Sequence, residues 1–247
     1  MKVGIIQHDI VWAKPAENRS RLQQQIEAQS GVDLYVLTEM WSTGFATEPA
    51  GLAERDNASL QWMKQMAQQQ NAAIAGSVAV EQDGKFFNRL YFVKPSGEVE
   101  CYDKRHLFAY GGEDNYYSRG DRRVVVEWRG VRFLLTVCYD LRFPVWMRYR
   151  KDYDAIICVA NWPTKRMLAW DTLLRARAIE NQCYVIGVNR VGHDVNCNYS
   201  GGSAVIHPYG HSIAECEKDR EDVVQAVLDM EKLRDFRKKF PVLEDAD

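Results

Sequence analysis

The chain has 247 residues, 46% of them hydrophobic and 27% charged, the profile of a globular protein rather than a disordered or fibrous one. A formal net charge of −2 supplies no long-range positive field, which argues against nucleic acid or an anionic membrane surface as a partner. There is no stretch of about 18 apolar residues and no signal-like apolar run near Met1, so no membrane span and a cytoplasmic location are expected.

Along the chain, the apolar run VGIIQ precedes a polar helical pattern over residues 16–29, and DLYVL precedes a second helix over residues 60–70. From Ala72 the pattern changes to consecutive strands, AAIAGSVAV, KFFNRLYFV and VECYD. The turn signals Asp83-Gly84 and Pro95-Ser96-Gly97 make these hairpins of one sheet. The second half reads as RVVVEW and VRFLLTVC around Arg129-Gly130, an amphipathic helix starting near Phe143, the run DAIICVA, a helix over residues 167–181, and YVIGVN. Three more strands follow, SAVIHP, HSIAEC and VVQAVLD, with turn chemistry at Pro208-Tyr209-Gly210. Strands outnumber helices and both halves mix the two, so the expected class is layered α/β with mixed sheets. With no linker, fixed-period repeat or low-complexity tract, residues 1–247 read as a single domain.

Six cysteines lie scattered at positions 101, 138, 158, 183, 197 and 216, with no C-x-x-C pair, so neither a metal site nor a cofactor is implied. Three apolar runs end in reactive residues: DLYVLT at Glu39, VECYD ahead of Lys104, and FLLTV ahead of Cys138. In layered α/β proteins the carboxyl ends of strands are where sites are assembled. A helix opening near Pro144 is expected to present its partial positive charge to the Cys138 thiol and, with a nearby ammonium, to lower its pKa. A Glu39 enclosed by apolar surface would serve as a general base, and a Lys104 ammonium beside a reacting carbonyl would stabilise its oxyanion. Each has a plainer alternative: a buried structural cysteine, a capping or salt-bridged glutamate, and a surface basic pair with Arg105. None of His8, His106, His193, His207 and His211 sits in a recognisable Cys-His pattern.

At these residues the sequence resembles the nitrilase (carbon–nitrogen hydrolase) superfamily over nearly the whole chain. The resemblance rests on Glu39 in VLTEMWSTGF, Lys104 in YDKRHLF and Cys138 in VCYDLRFP, in the family's Glu-Lys-Cys order. A supporting second glutamate maps to Glu113 in GGEDNYYSRG. One departure is Thr38, where the family often has proline before the first glutamate. The blocks VANWP, ARAIENQ and the closing KFP are most similar to bacterial omega-amidases, which act on 2-oxoglutaramate and related ω-amides of dicarboxylic acids. The resemblance implies a four-layer α-β-β-α sandwich, a homodimer, a small-molecule amide substrate, and no cofactor. It also implies a thioester mechanism: Glu39 as base, Cys138 as nucleophile, Lys104 and the Tyr139 backbone N–H at the oxyanion, and Glu113 in support. A distal carboxylate on the substrate calls for a cation, and Arg142 is the candidate, the alternative being a structural pair with Asp140. Trp162 and Phe45 are candidates to line the pocket. Other reactions compatible with the same machinery are hydrolysis of an N-carbamoyl amino acid or an aliphatic amide. Outside catalysis, the alternative is a metabolite-binding scaffold.

Overall fold

The all-apolar runs in the sequence become strands covered on both faces, the condition that parallel pairing imposes. A computed structural model of the chain, describing residues 1–245, shows how. The first half comprises β1 (Lys2–Gln7), α1 (Pro15–Glu27), β2 (Leu34–Val36), α2 (Ala58–Gln70), β3 (Ala73–Gln82), β4 (Lys85–Val93) and β5 (Val99–Asp103). Next come β6 (Val125–Trp128), β7 (Val131–Val137), the one-turn helix α3 (Pro144–Met147), β8 (Ala155–Ala160), α4 (Met167–Glu180) and β9 (Tyr184–Asn189). The chain then forms β10 (Val191–His193), β11 (Asn198–Ser200), β12 (Ala204–Ile206), β13 (Ser212–Glu215), β14 (Asp222–Val227) and α5 (Met230–Lys239).

Two six-stranded sheets result, ordered β14-β1-β2-β3-β4-β5 and β13-β12-β9-β8-β7-β6. Each has three parallel strands at its centre, β1-β2-β3 in one and β7-β8-β9 in the other, extended on both sides by antiparallel neighbours. The inner faces meet in one apolar layer, where Ile5, Val36 and Phe92 of the first sheet pack with Phe133, Ile157 and Val188 of the second. The outer face of the first sheet is covered by α1 and α2 through Leu22, Ile26, Trp62 and Met66. The outer face of the second is covered by α4 through Trp170, Leu174 and Ala178. The architecture is therefore the four-layer α-β-β-α sandwich. Burying one of these large apolar side chains contributes about 1.5–3 kcal/mol, so each interface is held by many such contributions.

The helices over residues 16–29, 60–70 and 167–181 form with ends shifted by two residues or fewer. Three elements were not foreseen: the short hairpin of β10 and β11, and α5. The helix expected near Phe143 is corrected in length, since α3 is a single turn of four residues and carries little dipole.

Candidate active site

The parallel strands aim their carboxyl ends at one edge of the sandwich, and the chemistry collects there. Glu39 follows β2 by three residues, Lys104 directly follows β5, Cys138 directly follows β7, and Asn161 and Trp162 directly follow β8. Glu39, Lys104, Cys138, Tyr139, Arg142, Trp162 and Phe45 all line one cavity of about 370 Å³. Glu113 stands behind Lys104 and contacts it directly.

Lys104 is fully buried. Its Nζ donates to Glu39 Oε1 at 2.9 Å and to Glu113 Oε2 and Oε1 at 2.9 and 3.1 Å. Burial pulls against the ammonium charge, but the carboxylates of Glu113 and Glu39 outweigh it and hold the pKa well above the ordinary lysine range. The expectation that apolar surface encloses Glu39 is corrected by its polar partners. Oε1 also accepts from Asn88 Nδ2 at 2.8 Å, and Oε2 accepts the Asn161 backbone N–H at 2.8 Å. Asn161 Nδ2 donates to the Glu39 carbonyl at 2.7 Å, so one asparagine clasps both ends of the residue. Glu113 accepts from Asn88 Nδ2 at 3.1 Å and from the Phe108 backbone N–H at 2.6 Å. Burial pushes the Glu113 carboxyl up; Lys104 opposes the rise and the neighbouring Glu39 charge adds to it.

Asn88 is oriented by the chain Ser77 to Asn88. The Ser77 hydroxyl donates to Asn88 Oδ1 at 2.8 Å, which leaves Nδ2 to bridge the two carboxylates, while the Met40 N–H donates to Ser77 Oγ at 2.9 Å. Met40 itself has φ +41°, a left-handed conformation that turns the chain sharply after Glu39.

Cys138 sits on a second such corner. Its φ is +48°, unfavourable for a residue with a Cβ, and the backbone passes from β7 straight into a 3-10 turn over Cys138–Arg142. Asp140, fully buried, ties this corner down. Its Oδ2 accepts the Val137 N–H at 2.9 Å and the Tyr102 hydroxyl at 2.8 Å, and its Oδ1 accepts the His106 N–H at 3.0 Å. His106 Nδ1 lies 2.7 Å from the same oxygen. The Tyr139 N–H, in the first turn after the cysteine, meets no acceptor among the described residues, the geometry of a free donor at a helical start.

The expected lowering of the thiol pKa is corrected. Dense protein around the sulfur and the charge of Glu39 push Cys138 well above the ordinary thiol range, and Lys104 offsets only part of the rise. The helix invoked for activation begins six residues later and spans one turn. At rest, therefore, the proton belongs on sulfur, beside a carboxylate able to take it.

Arg142 does not pair with Asp140, whose oxygens are committed elsewhere. It is exposed, forms no ion pair among the described residues, and lies with its guanidinium carbon 5.0 Å from the centre of the Trp162 ring. Trp162 is buried, its backbone N–H bonded to Asn189 Oδ1 at 2.7 Å and its indole N–H to the Arg166 carbonyl at 2.9 Å. Phe45 packs its ring 5.3 Å from Lys104 Nζ. Sequence reasoning missed the positioning contacts of Asn88 and Asn161, and considered Asp140 only as a partner for Arg142. A signal existed for Asn88, an amide on the inward face of β4 in line with the apolar Leu90 and Phe92, and for Asp140, which lies inside the cysteine motif.

Among the described residues no cluster of three or more His, Cys, Asp or Glu side chains is placed to hold a metal ion, and no helix is long and apolar enough to cross a membrane.

The carbon–nitrogen hydrolase family model matches residues 2–238. An omega-amidase of Escherichia coli K12 is 48% identical, with 100% of this chain and 97% of that protein aligned. A 2-oxoglutaramate amidase of Bacillus subtilis is 36% identical over 98% of this chain and 96% of its own. Among solved structures, a carbon–nitrogen hydrolase superfamily protein of Xanthomonas campestris with an arsenic adduct in its active site superposes with TM-score 0.96 at 40% identity, covering 100% and 97% of the two chains. Nit3 of Saccharomyces cerevisiae, a nitrilase superfamily member, superposes with TM-score 0.89 at 25% identity, covering 98% and 94%.

Proposed function

The chain belongs to the carbon–nitrogen hydrolase family, and from that premise we propose that it is an omega-amidase, hydrolysing the terminal carboxamide of small dicarboxylic acid monoamides such as 2-oxoglutaramate or succinamate. The observation that carries the reading is the single cavity in which Cys138, Glu39 and Lys104 share a wall with the unpaired guanidinium of Arg142. Relatives named omega-amidase and 2-oxoglutaramate amidase, aligned end to end, support the same substrate class.

Glu39 takes the Cys138 proton as Sγ adds to the amide carbon, so the charge of the buried cluster does not change when the nucleophile forms. The oxyanion is held by the Tyr139 N–H and by the field of Lys104. All of Lys104's close contacts go to carboxylates, so a direct hydrogen bond to the oxyanion requires exchange of its longer 3.1 Å contact with Glu113. Collapse of the tetrahedral adduct breaks the C–N bond, the proton held by Glu39 passes to nitrogen, and ammonia leaves a thioester. Glu39 then deprotonates water, hydroxide adds to the thioester carbon, and Sγ departs and regains its proton. Glu113 and Asn88 hold Lys104 and Glu39 in position. Arg142 receives the distal carboxylate, with Trp162 and Phe45 shaping the space around the acyl chain. A single domain over residues 1–247, a homodimer and a cytoplasmic setting complete the proposal.

Steady-state rates with succinamate, 2-oxoglutaramate and butyramide test it, together with intact mass of wild type and Cys138→Ala after mixing with a slow amide. The two acids are expected to exceed butyramide in kcat/KM, with an acyl adduct on wild type alone. Equal rates overturn the substrate class, and an adduct on the variant overturns the nucleophile.

A further inference from the structure

The charges lining the cavity do not suit an acidic substrate if Arg142 acts alone. Counted at formal charge, Glu39 and Asp194 in its walls and Glu113 directly behind them are three carboxylates, and Lys104 and Arg142 offset two of them. A monoanionic substrate would then enter a site of net negative charge, at a cost that grows as water is excluded. One further cation lines the same cavity. Arg166 stands on the short 3-10 turn before α4, partly buried, with its guanidinium carbon 5.1 Å from the centre of the Phe108 ring. It forms no ion pair among the described residues, although Asp194 borders the same space. Asp194 is committed to the β10–β11 loop, where Oδ1 accepts the Asn196 and Cys197 N–H groups at 2.8 Å each and Oδ2 accepts the Tyr199 hydroxyl at 2.6 Å.

Resting on the omega-amidase reading, we infer that Arg166 is a second specificity-determining cation, which with Arg142 forms a two-guanidinium site for the carboxylate end of the substrate. It brings the formal charge of the site to zero before the substrate arrives. The two arginines are built alike. Each lies over an aromatic face, a placement that fixes the guanidinium plane while leaving its N–H edge free for a carboxylate. They are also mechanically joined, because the indole whose face carries Arg142 is the one whose N–H binds the Arg166 carbonyl. Arg166 makes no hydrogen bond or ion pair with Glu39, Lys104 or Cys138, whose own polar contacts go to other partners, so its removal leaves those contacts in place.

The test is kcat and KM of wild type, Arg166→Gln and Arg166→Lys with succinamate and with butyramide, which carries a methyl group in place of the carboxylate. Arg166→Gln is expected to lower kcat/KM for succinamate about 10- to 100-fold through KM, the range for loss of a charge-assisted contact, and to leave butyramide within about twofold. Arg166→Lys should recover part of the loss. A merely structural arginine would lower both substrates together, and that result overturns the inference, as does an unchanged ratio in Arg166→Gln. A wild type that does not discriminate between the two amides overturns the omega-amidase reading and this inference with it. A wild type that discriminates while Arg166→Gln discriminates equally overturns the inference alone.

Discussion

Asn88→Ala isolates the part of the site that no catalytic motif contains. The side chain is fully buried and makes three hydrogen bonds, two of them to the carboxylates of Glu39 and Glu113. A hydrogen bond to a charged acceptor contributes about 1.5–3 kcal/mol net, and a neutral one about 1 kcal/mol. Allowing for partial replacement by water in the space left behind, a loss of about 3–5 kcal/mol in unfolding free energy follows. For a chain of this size that lowers Tm by roughly 10 °C. The kinetic effect has a separate origin. Without the Asn88 donor, Glu39 Oε1 is held by Lys104 alone, and a displacement of the base by about 1 Å costs on the order of 100-fold in rate. Thermal unfolding and steady-state hydrolysis of succinamate measure the two effects independently. If Asn88→Ala loses stability but keeps kcat/KM, the amide does not orient the base, and the positioning argument is refuted.

Three further outcomes are expected. Asp140→Asn places an NH2 group against donors that now meet a carboxylate, so it should cost about 2–4 kcal/mol in chemical denaturation and lower kcat at least tenfold by loosening the corner at Cys138. Because Cys138 is pushed well above the usual thiol range, its alkylation by iodoacetamide should keep accelerating as pH rises past 9, and a plateau below pH 8 would contradict this. His8, buried with an unpartnered Nδ1, has its pKa lowered to about 3, chiefly by burial. The unfolded chain therefore takes up the proton first as pH falls. The His8 contribution to stability is complete above about 6.5 and is lost between there and about 3, amounting to about 2 kcal/mol by pH 5. Urea unfolding of wild type should show that slope, and His8→Gln should flatten it.

What could be read from the sequence and what could not divide along physical lines. The strands β8 and β9 announce themselves as unbroken apolar runs because both faces are covered, and α4 by its length. The helix α5 escaped notice because only Leu233 of its ten residues is buried and seven are charged, so its apolar stripe is reduced to Met230, Leu233 and Phe236. The strands β10 and β11 are three residues each, too short for alternation to register. The same division runs through the site. Glu39, Lys104 and Cys138 stood out at the ends of apolar strands and were singled out from plainer alternatives by their family motifs, whereas the groups holding them depend on pairings no local pattern encodes. Asn161 and Glu39 are 122 residues apart in sequence and bonded at 2.8 Å.

Local reasoning about Cys138 also had the wrong sign for this reason. A nearby helix terminus argued for a lowered pKa, while the assembled site surrounds the sulfur with protein and sets a carboxylate beside it. The proposed chemistry does not require a standing thiolate. Two glutamates and one lysine give the cluster a formal excess of one negative charge, and a second anion on sulfur would stand next to it without a counter-ion of its own. Proton transfer from sulfur to Glu39 as the C–S bond forms avoids that state, because the negative charge appears on the carbonyl oxygen, where the Tyr139 N–H and Lys104 can meet it. A raised thiol pKa thus ties the reactivity of Cys138 to the presence of an amide, and it makes the position of Glu39, fixed by Asn88 and Asn161, the quantity on which the rate depends.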